Sequence, residues 1–155
     1  MLEFSFLPTG ESRELVDDLR QVFADLAATL GPEQRAFSGE YHPALDVVET
    51  STDVEIVIDL AGVPAEAVRV LFRGDVLIVA GEKAPPPTSS DPNFHLLERG
   101  FGRFARAVRL SGAFEIGQAQ ARLLGGELTI VLPKRLDRRG NVQTIPIQTD
   151  SRRPV

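Results

Sequence analysis

Near the start of the chain, apolar residues recur at the spacing of a helix. Between Ser12 and Leu30 they stand at Leu15, Leu19, Val22, Phe23, Leu26 and Leu30, the stripe that predicts an amphipathic α-helix. Ser12 can cap its start, and Gly31-Pro32 ends it. Asp17, Asp18, Arg20 and Asp25 fall mostly off the stripe. One helix cannot bury its own face, so this one calls for another protein surface. Residues 31–42 read as a linker. After Pro43 the period changes to two. Val54, Ile56, Ile58 and Leu60 share one face of a strand, with Glu55 and Asp59 on the other. Val68, Val70 and Phe72, a Gly74-Asp75 turn, then Val76, Ile78 and Ala80 make a hairpin pattern. The stretches "FARAVRL" and "GELTIVLPK" add two more strands, the last alternating Leu128, Ile130 and Leu132. Short strands with no helical run between them predict an all-β fold, an antiparallel β-sandwich.

Two segments break the pattern. "KAPPPTSSDPNF" carries three consecutive prolines, which cannot donate to a sheet ladder, so it reads as a loop or extended arm. Beyond Pro133 the chain turns polar, yet Ile145-Pro146-Ile147 places two branched apolar side chains on that tail. At i and i+2 of an extended backbone both point to the same side, and the proline between them lowers the cost of ordering. Burying both would contribute about 3–6 kcal/mol before association costs. The segment therefore reads as a plug for a groove between subunits or proteins.

Composition narrows the chemistry. The 155 residues are 43% hydrophobic and 25% charged, enough for one core with extensions. There is no cysteine, which removes disulfides and thiolate chemistry and suits a reducing compartment. No apolar run is long enough to span a bilayer, and "MLEFSFLPTGESRE" lacks the basic and apolar regions of a signal peptide. A cytoplasmic location is expected. The net charge of −5 argues against general nucleic-acid binding. Lys134, Arg135, Arg138, Arg139, Arg152 and Arg153 gather in a basic tail that reads as a solvated extension. The acidic polar face of the helix argues against an anionic membrane. His42, in the linker, and His95, read as opening a strand, show no metal-ligand spacing, so no metal is expected. Gly100 to Ala105 matches a dinucleotide loop by letter, but no strand–turn–helix unit surrounds it. No catalytic constellation and no cofactor site is expected, and the protein is read as not an enzyme.

The chain resembles the small heat-shock proteins of the alpha-crystallin family. The resemblance rests on "DLAGVPAEAVRV", "GDVLIVAGEK", "FHLLERGFGRFARAVRL", "ARLLGGELTIVLPK" and "IPI", in that order and spacing. It implies an immunoglobulin-like antiparallel sandwich, the alpha-crystallin domain, at residues 42–134. An N-terminal arm (1–41, helix 12–30) precedes it, and a C-terminal extension (135–155) follows. It also implies an ATP-independent chaperone that holds unfolding client proteins and passes them to ATP-driven chaperones, self-associating at least as a dimer. By the same resemblance the Ile-Pro-Ile plug docks in a neighbour's groove, at strands carrying Val68 and Val70 and Ala119, Ala121 and Leu123, and Arg106 supports the dimer interface. Ala61 and Ser111 stand where the family usually has proline, and Glu127 where it is usually apolar. Bacterial and plant relatives place a subunit-pairing strand in the loop that here is the short, proline-rich 83–94. Phe4, Phe6, Leu15, Leu19, Phe23 and Leu26 form an arm expected to be partly exposed and to hold clients. A co-chaperone module of related fold that docks on a larger chaperone is the alternative, and a jelly-roll enzyme or ligand carrier a more distant one.

Overall fold

The structure, a computed structural model, describes residues 12–30, 41–86 and 91–135. Helix α1 (Ser12–Leu30) precedes seven strands: β1 (Leu45–Glu49), β2 (Asp53–Asp59), β3 (Val68–Arg73), β4 (Val76–Lys83), β5 (Gly102–Arg109), β6 (Gln120–Leu124) and β7 (Glu127–Pro133). They form two antiparallel sheets, ordered β1-β2-β7-β6 and β3-β4-β5.

Register explains the core. Pairing Val54 with Leu132, Ile56 with Ile130 and Ile58 with Leu128 puts six apolar side chains on one face of the larger sheet. Phe72 pairs with Leu77 and Leu77 with Val108, which turns Leu77, Val79, Phe104 and Val108 toward them from the smaller sheet. Leu60, Leu110 and Phe114 close the ends. The β6–β7 hairpin turns on Gly125 and Gly126, both with positive φ (+61° and +80°), the conformation a two-residue turn of this twist requires. Near the same end of the core, Tyr41 stands edge-on to Phe104 (5.8 Å) and donates its hydroxyl to the Asp59 carbonyl at 3.1 Å.

The β3–β4 hairpin forms as its alternation predicts, but its faces are shared differently. Leu77 and Val79 point into the sandwich, whereas Val76, Ile78 and Ala80 face outward. Every residue of β4 is buried. The outer face is covered by α1, whose Val22 and Leu26 pack on Val76, Ile78 and Ala80, with Leu19, Phe23 and Leu71 at the margin. Burial of a leucine in such a contact contributes about 1.5–3 kcal/mol. Arg73 reaches Glu14 at 3.1 Å and Asp18 at 2.9 Å, and the Arg103 guanidinium lies 5.0 Å from the Phe23 ring centre.

This corrects the expected exposure of the arm. Leu26 is wholly buried, and Leu19 and Phe23 are partly covered, all by the chain's own sheet. Phe4, Phe6 and the Leu15 side chain lie outside the described residues. Two further differences concern strands. β1 was not expected; it is a short edge strand, paired among the described residues with β2, whose alternation is broken by the exposed Val48 and by Glu49. His95 opens no strand, because residues 91–100 have no ladder partner among the described residues.

Candidate functional site

The two sheets do not close on each other along the β3 and β6 edges. Between them lies a groove of about 230 Å³, lined by Val70, Phe72, Ile116, Ala119, Ala121 and Leu132 among others. β3 contributes Val70 and Phe72 because alternate residues of that strand face inward. The short 3-10 turn Ile116–Gln118 holds Ile116 over the opening, and the chain then enters β6 through Ala119. Small side chains at Ala119 and Ala121 keep the β6 wall low. An edge strand on each side leaves backbone groups available for an added extended segment.

Of the expected groove residues, Val70, Ala119 and Ala121 come together here. Val68 and Leu123 instead pack, partly buried, against the central core. Ile116, 41% exposed, was not among the expected residues. Its signal was an isoleucine beside Gly117 in a turn, outside any alternating run. Ile145, Pro146 and Ile147 lie outside the described residues.

Arg106 is partly buried on β5 and donates to the Pro43 carbonyl, tying that strand to the segment before β1. A second apolar surface lies beyond Lys83. Phe94, Leu96 and Leu97 are 58%, 75% and 60% exposed, and with Pro85, Pro86 and Phe101 they border a cavity of about 450 Å³. Among the described residues, no three His, Asp or Glu side chains gather as metal ligands, and no helix is long and apolar enough to cross a membrane. What the surface offers is apolar contact at strand edges.

The Hsp20/alpha crystallin family profile matches residues 46–148. The chain belongs to that family. It is 30% identical over 138 residues to the 16.9 kDa class I heat shock protein 1 of Oryza sativa subsp. japonica, covering 88% of this chain and 90% of that one. Among solved structures, heat shock protein 16.0 of Schizosaccharomyces pombe superposes with a TM-score of 0.60 at 28% identity, over 70% of this chain and 99% of that one. A small heat-shock protein of Xylella fastidiosa, described as having a distinct high order structure, gives 0.58 at 25% identity, over 70% and 96%. The fold described above is thus the alpha-crystallin sandwich with one N-terminal helix, and the protein is a small heat-shock protein, a member of a chaperone family.

Proposed function

We propose that this small heat-shock protein is an ATP-independent holdase of the cytoplasm. It binds partly unfolded clients through apolar surface, keeps them from aggregating, and releases them to ATP-driven chaperones. The observation that carries this reading is membership of the Hsp20/alpha crystallin family across most of the chain. The apolar groove between β3 and β6 supports it, because such a groove recognises extended chain without demanding a sequence. The lack of cysteine suits a reducing compartment.

In this reading Ile145 and Ile147 fill the groove of a neighbouring subunit at Val70, Ala119 and Ala121, and Val68 and Leu123 support its walls from behind. The exposed Phe94, Leu96 and Leu97 give a second copy its surface, with Arg106 bracing β5 behind the dimer contact. The arm takes part only when α1 lifts, since Leu26 is otherwise buried against β4. Phe4, Phe6, Leu15, Leu19 and Phe23 then join it in client contact. A heat-labile enzyme warmed with the purified protein and no nucleotide tests the function. Light scattering should stay low at subunit-to-client ratios near or somewhat above one. Scattering unchanged by the protein would leave only the co-chaperone reading.

A further inference from the structure

Lys83 is the most deeply covered cation of the described residues, with only 7% of its surface exposed. It ends β4 at the rim of the sandwich, its ammonium 4.6 Å from the Tyr41 ring centre and 5.7 Å from that of Phe101. Arg99 approaches the same corner, 5.1 Å from the Phe101 ring. Both side chains converge over Gly62. A Cβ on that residue would stand 3.8 Å from Arg99 Nη2 and 4.0 Å from Lys83 Cε. Gly62 itself has φ +78°, so the backbone there favours glycine, and the two cationic side chains lie over it.

Among the described residues, no carboxylate answers these two charges. The Lys83 ammonium and the Arg99 guanidinium have no hydrogen-bond or ion-pair partner among the described residues, and their contacts are the aromatic faces. Glu82, next along β4, points to the opposite face and lies 4.0 Å from Arg103. Asp59 meets Tyr41 through its backbone carbonyl. Burial, and then the neighbouring Arg99 charge, holds the Lys83 ammonium below the ordinary lysine pKa. Covered charge without a counterion is costly, and aromatic faces compensate only part of that cost.

We propose that Lys83 and Arg99, over Gly62, form a binding site for a small oxyanion, with a phosphate group as the ligand. Two cations call for more than one negative charge, which a phosphate carries near neutral pH and a single carboxylate does not. Arg99 offers the planar fork that matches phosphate oxygens, and Lys83 a point charge behind it. Tyr41 and Phe101 shut water from one side, which strengthens the attraction. The site is separate from the β3–β6 groove and does not depend on the holdase reading.

Thermal unfolding of the full chain in inorganic phosphate and in chloride, at equal ionic strength, tests it. Phosphate stabilises many proteins without a site, so the comparison is with Lys83→Met and Arg99→Gln. With phosphate about 100-fold above its Kd, the parent Tm should rise by roughly 5–10 °C more than that of either variant. Equal rises in all three proteins would overturn the proposal. An acetate arm giving the same variant-dependent rise would overturn the assignment to phosphate. Arg99 is exposed, so Arg99→Gln keeps the test open even where Lys83→Met fails to fold. The phosphorus-31 resonance of phosphate should broaden with the parent and stay sharp with Arg99→Gln, and equal broadening with both would contradict the site.

Discussion

Gly81 lies where β4 comes closest to the turn before β3. A Cβ there would stand 2.5 Å from Phe104 Cζ and closer still to the Ala67 carbonyl oxygen. Backbone cannot retreat as a side chain can, so Gly81→Ala must push Phe104 off its place in the core. A cost of about 1–3 kcal/mol is expected, as for other overpacked sites. Urea unfolding should show a lower midpoint with unchanged slope, and an unchanged midpoint would mean the contact gives way freely. The Glu49–Lys134 pair ties β1 to the end of β7 at 2.6 Å. Lys134, by hydrogen bond first and by charge second, holds the Glu49 carboxyl below its ordinary value of 4.5. A carboxylate with a depressed folded-state pKa stabilises above its unfolded pKa and loses that contribution as pH falls through the folded value. The stability gap between parent and Glu49→Gln should therefore be present near pH 7 and shrink below about pH 4.5. A gap constant across that window would show that the pair has no net effect. Neither contact was legible in the sequence, because both join residues far apart in the chain whose meeting depends on sheet register.

At the scale of elements, α1 and β4 explain each other. The unbroken apolar run Val76 to Ala80 is what a strand buried on both faces looks like. Alternation alone recovered the hairpin, and its turn, but it could not say that Val76, Ile78 and Ala80 look outward to a helix. The helix itself was legible from its stripe, since a 3.6-residue period over 19 residues leaves little ambiguity. Its partner was not, because the linker between them carries no pattern. β1 escaped notice for a different reason: an edge strand needs only one apolar face, and here Leu45 and Val47 are all it has. Leu26→Ala should cost α1 most of its docking, with a loss of about 2–5 kcal/mol at a buried leucine setting the upper bound. Hydrogen exchange should then speed up in α1 while β2 and β7 stay protected. Unchanged protection of α1 would mean that the helix is held by something other than this contact. The ion pairs of Arg73 are too exposed to hold it alone; such pairs are worth about 0–1 kcal/mol.

At the scale of the whole molecule, the sandwich leaves apolar surface at its edges and carries an apolar motif on the tail that follows. The family was legible because five motifs fall in order, whereas the groove was legible only in part. Val70, Ala119 and Ala121 were named by the family resemblance, whereas Ile116 enters through a turn that it did not point to. In the proposed assembly Ile145→Ala with Ile147→Ala removes about 2 kcal/mol or more per side chain from a well-formed pocket. Both residues follow the last strand, so the variant should have a smaller or looser assembly by light scattering and an unchanged far-UV circular dichroism spectrum. Unchanged mass with lower thermal stability would instead place the plug in its own subunit's groove. The most direct measurement of the chaperone reading is what becomes of a client after heating. A heat-labile enzyme is warmed with the protein, without nucleotide, and passed over a sizing column. The account predicts a soluble, inactive complex of the two, from which enzyme activity returns when an ATP-driven chaperone and ATP are added. An enzyme that pellets while this protein elutes alone, or a captured enzyme that no ATP-driven chaperone can reactivate, would contradict it.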